Sequence, residues 1–542
     1  MPTTPSMPIM ERRASFVACA LVLLVPFIIF VKHHDYSLLS AETWLAGGVV
    51  GAIGLVLGAL LAVLPSAPRV LIAASSLVLS VDLQMDWIES EGQAALLLVG
   101  SAVPLWFVRA RLGRGFSFVA AVMIATTIPL APGDGFLREE VLDPGVPPSR
   151  ELPPIVHLVL DEHIAVDAIP MEFDPNGALA GKIVRTYVDL GFQVYTRAFS
   201  RHFTTAPSLS HLVNLSSGEE SLEFYAPATK TLRANAYFNE MSKRGYRIDV
   251  LQTDYVDFCS SDDGANVERC VTYTLESPKA IEGTAIGTLP KARTIAGMYF
   301  QRSSLFKEWR KRYKAMARRS RAAGLDLPAW PLRAGRMSTV SSMALLPRLQ
   351  SELASVQPGT LFFAHLLLPH YPYAFDRRCA MRPSPVEWLT YKDAALRPTR
   401  NTSESRAERY ALYLEQLECT TSRIGGILQE VLATEALRDA IVIVHGDHGS
   451  RINVTTPNQA NLHRMHDVDF TDAFATHFAV RMPSATPGVD TRSIAIDELL
   501  SAVVRQGAIP DGSEWIASPD VVITGKGDAK ALRRPMVWPA DH

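Results

Sequence analysis

Thiolate chemistry has little to work with in this chain. Its 542 residues include five cysteines, and none stands in a CxxC pair of the kind that binds metal. An excess of charge of either sign is also missing. Lys and Arg number 53 against 55 Asp and Glu, for a formal net charge of -2 and a pI of about 6.7. Nothing in that balance suggests a nucleic-acid binder, and no internal repeat is visible. What is present is length enough for a large core and more than one small domain. The hydrophobic fraction of 48% is ordinary as an average but unevenly spread. Residues 1–131 carry most of the long apolar runs, and the remainder reads as a soluble α/β protein.

Five stretches are candidate membrane spans: Ser15–Val31, Trp44–Leu64, Val70–Leu83, Ala94–Val108 and Phe116–Leu130. The third and fourth fall short of the roughly 20 residues a bilayer needs, and the fourth contains Pro104, so a re-entrant pair is the alternative there. Arg12 and Arg13 precede the first stretch, Arg69 lies between the second and third, and Arg109, Arg111 and Arg114 lie between the fourth and fifth. The alternate loops hold Lys32 with Asp35, then Asp82, Asp86, Glu89 and Glu91. The positive-inside rule therefore puts residue 1 in the cytoplasm and residues 132–542 outside it, and a re-entrant pair would leave that parity unchanged. Cys259, Cys270, Cys379 and Cys419 fall in the outer part. An even number permits two disulfides, with Cys259 and Cys270 able to close a short polar loop; the alternative is four free thiols.

Residues 132–152, rich in proline, glycine and charge, read as a linker. Beyond them, apolar runs alternate with helical patterns: Ile155–Leu160, a helix near 175–190, Phe192–Tyr195, a helix near 232–243, GYRIDVLQ, FFAHLLL, a long helix around 404–432, and IVIVHGDHGS. This alternation predicts an α/β domain over 153–542 with a central, mostly parallel sheet covered by helices. Residues 307–321, KEWRKRYKAMARRSR, form the most basic run. It reads either as a solvated helix face or as a juxtamembrane helix against anionic headgroups, where each cation adds roughly 1 kcal/mol.

Chemistry-bearing residues gather at strand ends, where open α/β sheets bind ligands. Asp161 and Glu162 end the Ile155–Leu160 run; acids there serve either as helix caps or as metal ligands. Thr204 and Thr205 precede Pro207 and a helix-like run, whose backbone N–H groups favour an anion. A threonine hydroxyl placed there can attack phosphorus or sulfur if a metal lowers its pKa. His365 lies within a strand and reads as a packed core histidine, whereas His370 follows one. Asp447 and His448 follow Ile441–Val444, with Gly446 and Gly449 to turn the backbone, and His477 precedes another short apolar run. Carboxylate and imidazole together suit zinc or a similar divalent ion; an all-oxygen site would suit calcium or magnesium.

With these motifs in view, the chain resembles the alkaline phosphatase and sulfatase superfamily in its membrane-tethered bacterial branch. That branch includes phosphoethanolamine transferases and lipoteichoic-acid-type phosphoglycerol transferases. The likeness covers residues 153–485, and a five-span anchor fits the same group. VIVHGDHGS matches the apolar-(S/G)DHG motif, IVHLVLDEH the first metal-ligand strand, and TAPS at 205–208 the nucleophile turn. LPHYPY matches the HxP loop, and THFAVRMP resembles the late HVP segment. The resemblance implies an alkaline-phosphatase-like sandwich after a multi-span helical membrane domain. It implies Asp161, Thr205, Asp447 and His448 as ligands of a divalent metal, with Thr205 also the nucleophile. Glu162 would replace Asp161 or add to it, and His370 and His477 would bind a second metal or the substrate.

One departure narrows the chemistry. Formylglycine sulfatases carry Cys or Ser followed by x-P-x-R, but here Thr205-Ala206-Pro207-Ser208-Leu209 has neither the cysteine nor the arginine. His448 stands where the sulfatase calcium site has Asn, which favours zinc or manganese. The expected function is a metal-dependent phosphoryl-group transferase or phosphodiesterase acting on envelope lipid or glycan through a covalent threonine intermediate. Sulfate-ester or phosphonate hydrolysis, a non-catalytic envelope scaffold that binds glycans, and a transporter using Asp82 are the alternatives. The expected partners are membrane lipids and an anionic phospholipid or glycan substrate, with the catalytic domain periplasmic or extracellular.

Overall fold

The computed structural model describes residues 9–85, 88, 90–130, 135–142, 149, 151–215, 225–226, 230–260, 267–325, 327, 337–383, 402–483, 485–509, 519–523 and 531–539. The five N-terminal apolar runs form α1 (Ile9–His33), α2 (Ala41–Val63), α3 (Ser66–Met85), α4 (Glu91–Phe107) and α5 (Leu112–Leu130). Further along are α6 (Ala178–Val188), α7 (Thr205–Val213), α8 (Ala236–Lys243), α9 (Thr288–Gln301) and α10 (Ser304–Ala322). The chain continues with α11 (Ser338–Ser355), α12 (Ser403–Leu432), α13 (Asp467–Phe474) and α14 (Ile496–Gln506).

The chain divides into two compact units. The first joins Met1–Phe136 to Glu276–Gly335 and Pro383–Pro385; the second holds Leu137–Leu275, Arg336–Arg382 and Val386–His542. Residues 276–335, with α9 and α10, thus belong with the N-terminal helices, although the sequence reading placed them in the domain over 153–542. In this first unit α1 packs on α2 and α5, α9 packs on α2, and Tyr299 of α9 donates to the Leu23 carbonyl at 3.0 Å. Among the described residues, α2 and Ser66–Gln84 of α3 are long and apolar enough to cross a membrane. A third span exists only if α4 and α5, bent by 118° at their break, count as one, and Val17–His33 of α1 is a shorter apolar helix. Five apolar runs therefore become five helices but not five spans of full length. The α4 helix has 17 residues, about 26 Å of rise against about 30 Å of hydrocarbon.

The second unit is built on a nine-stranded sheet. Its strands are β1 (Leu137–Val141), β2 (Ile155–Leu160), β3 (Gln193–Phe199), β4 (Arg247–Thr253) and β5 (Val267–Tyr273), then β6 (Thr360–Leu366), β7 (Ile441–Gly446), β8 (Phe478–Arg481) and β9 (Gly488–Ala495). The order is β1-β5-β4-β6-β2-β7-β8-β3-β9, with β1 and β8 antiparallel to the rest. The five strands from β5 to β7 run parallel, as buried apolar runs require. Residues on β2 alternate between two cores. Val156, Leu158 and Leu160 pack with α6, α11 and α12, while Ile155 and Val159 pack with α7, α8 and α14. Helices therefore cover both faces, in agreement with the sequence pattern.

Two details add to that pattern. The 132–152 stretch contains β1, a charged edge strand in which Glu139 pairs with Arg269 at 3.0 Å and with Arg348 at 2.9 Å. Its parts at 132–134, 143–148 and 150 lie outside the described residues. Disulfides join Cys259 to Cys270 and Cys379 to Cys419, leaving only Cys19 free.

Candidate metal and nucleophile site

Register brings the site together. Leu160 of β2 pairs with Leu366 of β6 on one side and with Gly446 of β7 on the other, so three strands end side by side. The residues that follow, Asp161–Glu162, the loop to His370, and Asp447–His448, leave the same edge of the sheet. The Asp161 N–H still donates to the Leu366 carbonyl at 2.9 Å, which fixes where its side chain starts. Glu162 then takes a left-handed backbone, φ 64. Its N–H donates to Asp447 Oδ1 at 3.0 Å, and its carbonyl accepts from Tyr413 Oη at 2.6 Å. That turn sends the two acids different ways: Asp161 toward Thr205, and Glu162 toward the Tyr371 N–H at 3.1 Å.

Thr205 is the first residue of α7. Thr204 before it is extended, φ -139 and ψ 144, and its side chain makes no cap hydrogen bond. The positive end of the helix is thus left for an anion. Thr205 Oγ1 lies 3.3 Å from Asp161 Oδ2 and 3.2 Å from His448 Nε2. One turn on, Ser208 Oγ donates to the Asp447 carbonyl at 2.5 Å and lies 2.7 Å from Ser200 Oγ, tying the helix to the GDHG turn. Gly446 and Gly449, read from sequence as letting the backbone turn, serve close approach, and neither has positive φ. A Cβ at Gly446 would sit 2.3 Å from Thr476 Oγ1, and one at Gly449 2.5 Å from the Asp472 carbonyl oxygen.

Hydrogen bonding around His448 fixes its tautomer. Nδ1 faces the Gly449 carbonyl at 2.9 Å, so it carries the proton and leaves a lone pair on Nε2. That lone pair faces Asp447 Oδ2 at 3.1 Å and Asp161 Oδ1 at 3.8 Å, and both carboxylate oxygens are buried without a hydrogen-bond partner. Three electron-rich atoms converging on a threonine hydroxyl, all in residues at most 2% exposed, repel one another unless a proton or a metal cation lies among them. Asp161, Asp447 and His448 are close enough to share one ion, and so are Asp161, Glu162 and His370. This donor set fits a divalent metal, and three oxygens with one imidazole suit zinc or manganese. Burial first, and then the Asp447 carboxylate, pushes Asp161 up to about 7. Burial acts on Glu162 as well, but His370 and Arg451 outweigh it and hold that carboxyl below its ordinary range.

His370 sits at the rim with Nε2 3.7 Å from Glu162 Oε1. Its loop is held by one side chain that the sequence did not reveal, Gln416 of α12. Gln416 Oε1 accepts from the Ala374 and Phe375 N–H groups at 2.7 and 3.1 Å. Its Nε2 donates to the Pro369, His370 and Pro372 carbonyls at 2.9, 3.0 and 3.2 Å. Ser338 Oγ lies 3.3 Å from His370 Nδ1, and the Cys379–Cys419 disulfide joins the end of the loop to the same helix. Arg451, two residues past the GDHG motif, brings a cation 3.7 Å from Glu162 Oε1, and its adjacency to the motif was the available signal.

The other histidines divide. His365, read as a core residue, is fully buried with Nε2 3.7 Å from Asp161 Oδ2, but belongs to neither ligand group. His477 is not brought to the cluster. It is buried against the His163 ring at 4.4 Å and the Tyr187 ring at 4.8 Å, and burial holds its pKa well below the ordinary value. The structure thus gathers Asp161, Glu162, Thr205, His370, Asp447 and His448, and leaves His477 beneath them.

No family model and no curated protein matches the chain. Among solved structures it is similar to the C-terminal periplasmic domain of EcEptC from Escherichia coli, at 12% identity and a TM-score of 0.40 over 73% of this chain and 94% of that one. That domain is also known in complex with Zn. A 2-O GAG sulfatase is similar at 12% identity and a TM-score of 0.40, over 69% of this chain and 77% of its own. The phosphonate monoester hydrolase from Silicibacter pomeroyi is similar at 14% identity and a TM-score of 0.35, over 65% and 72%.

Proposed function

We propose that this chain is a metal-dependent enzyme of the alkaline phosphatase and sulfatase type that moves a phosphoryl group from an envelope lipid or glycan through a covalent Thr205 intermediate. The observation that carries this reading is the contact of Thr205 Oγ1 with both Asp161 Oδ2 and His448 Nε2, beside carboxylate oxygens that have no other partner. Asp161, Asp447, His448 and Thr205 would hold a divalent cation, zinc foremost, and Glu162 with His370 would take a second. A cation bound there supplies Lewis acidity that lowers the hydroxyl pKa and offsets charge on the transferred group.

The residues themselves account for the steps. Thr205 loses its proton along the hydrogen bond to Asp161, and its oxygen attacks phosphorus in line with the departing oxygen. The uncapped start of α7 and Arg451 stabilise the equatorial oxygens. The P–O bond to the leaving group breaks as the Thr205–P bond forms, and the leaving oxygen takes a proton from solvent. An acceptor hydroxyl then attacks phosphorus from the vacated side and gives its proton to solvent, the Thr205–P bond breaks, and Thr205 recovers its proton from Asp161; with water as acceptor the reaction is hydrolysis. The apolar N-terminal helices would tether the enzyme in a membrane with residue 1 cytoplasmic and the site outside.

The test is the mass of the Thr205 peptide after the full chain is incubated with isotope-labelled envelope lipids, alongside elemental metal analysis. A labelled adduct on Thr205 with bound divalent metal is the expected result. Turnover with an unmodified Thr205 under trapping conditions contradicts the covalent route.

A further inference from the structure

We infer that α10 is an in-plane membrane-interface helix that binds an anionic phospholipid surface; this rests on the membrane-tethered part of the reading above and not on the chemistry of the site. Within Ser304–Ala322 eight residues are Lys or Arg and one, Glu308, is acidic, although the whole chain carries a net charge of only -2. Leu305, Trp309, Tyr313 and Met316 recur at helical spacing and make an apolar stripe, in which Trp309 is 52% exposed and Met316 50%. Arg312 and Arg319 border the stripe, and Lys307, Lys311 and Arg318 are exposed on the face away from it. An exposed aromatic stripe flanked by cations is the surface that settles into an anionic headgroup layer.

The helix is fixed where such a role needs it. Asp82, on the apolar helix α3 and 0% exposed, accepts from Ser303 Oγ at 2.5 Å and from the Leu305 N–H at 3.1 Å. A carboxylate at the end of a candidate span thus caps the start of α10. Phe306 stacks on Phe300 of α9 at 4.9 Å and meets Trp309 at 5.8 Å, so the stripe continues from a packed anchor. A cavity of about 280 Å³ runs alongside, bounded by Lys307, Trp309, Lys311 and Arg312 and by Ser90 and Ala94 at the start of α4. Its acid, Glu308, is paired with Lys311 at 2.9 Å. The cavity has the charge and the place to receive a headgroup phosphate, and the negative bilayer surface complements the cationic faces.

The experiment compares amide hydrogen exchange over residues 304–322 in the full chain, in nanodiscs of phosphatidylcholine alone and of phosphatidylcholine with phosphatidylglycerol. The expected result is exchange slowed about tenfold by the anionic lipid, reversed by high salt, and lost in K307Q/K311Q/R318Q. The Trp309→Ser variant, which keeps every cation, is expected to retain part of the salt-sensitive effect. Equal slowing in both lipids at every salt concentration would mean that protein covers the helix, and fast exchange throughout would mean a solvated helix; either overturns the inference. Metal content measured on the same samples reads the site separately, and failure of the chain to enter nanodiscs marks failure of the tether itself.

Discussion

Two fully buried aspartates, one in each compact unit, behave in opposite ways. Asp82 in the first unit has donors on one side: a serine hydroxyl and a backbone N–H converge on its Oδ2, which caps a helix, while its Oδ1 is buried without a hydrogen-bond partner. Asp161 in the second unit accepts from Thr205 on Oδ2, with His365 Nε2 at 3.7 Å, but its Oδ1 has no hydrogen-bond partner and it faces the Asp447 carboxylate and His448. A buried acid among donors contributes to stability as it stands. A buried acid among acceptors costs stability until a cation arrives, and that cost marks a binding site rather than a scaffold.

Substitutions sharpen this contrast. The largest effect is expected at Thr205, where alanine should lower turnover by about 10⁴-fold or more while Asp161, Asp447 and His448 still retain metal, more weakly for the lost oxygen, read by kinetics and elemental analysis. Next come the two aspartates. Asp161→Asn removes the electrostatic penalty, so the chelated variant should melt no lower than chelated wild type, while added zinc should stabilise it far less. Asp82→Asn should lower stability with and without zinc, by about 1 kcal/mol for a weakened cap, and leave metal content alone. If both variants respond to zinc alike, the contrast between the two acids fails.

A buried ion pair behind the nucleophile gives the pH test. Arg201 Nε lies 3.0 Å from Asp497 Oδ2, and His211 Nε2 lies 3.3 Å from the same oxygen. Burial would raise the Asp497 carboxyl, but His211 and Arg201 outweigh it and hold it below the ordinary range. A depressed acid contributes stability above its unfolded pKa of about 3.9 and loses it as pH falls through the lower folded value. Asp497→Asn should therefore cost about 3 kcal/mol at neutral pH and flatten the acid limb of the stability curve. The smallest effect is expected at Gln416. Leucine there should lower kcat/KM about 10- to 100-fold by loosening the His370 loop, while the metal held by Asp161, Asp447 and His448 remains.

Much of the site was legible because strand ends are legible. An apolar run stopped by an acid predicts both a buried parallel strand and a ligand at its edge, and β2 with Asp161 and β7 with Asp447 follow that rule. Thr205 was legible from helix-start signals that need no tertiary knowledge. Register was not, and register decides which side chains meet. His477 precedes the antiparallel β8 and so reaches the sheet edge where β7 ends, its carbonyl accepting from the Gly446 N–H at 2.9 Å, yet its ring packs against His163 and Tyr187 instead of joining the ligands. Gln416 was invisible because one buried polar residue on a 30-residue amphipathic helix has no local signature. The grouping of 276–335 with the N-terminal helices was hidden for a similar reason: periodicity states that a helix has an apolar face, not which unit covers it.

The most direct measurement is an anomalous difference map at the zinc edge from crystals of the zinc-loaded protein. The account expects a peak about 2.0–2.2 Å from Asp161, Asp447, Thr205 Oγ1 and His448 Nε2. Zinc bound elsewhere in an active protein, with those four side chains still contacting one another directly, would contradict it.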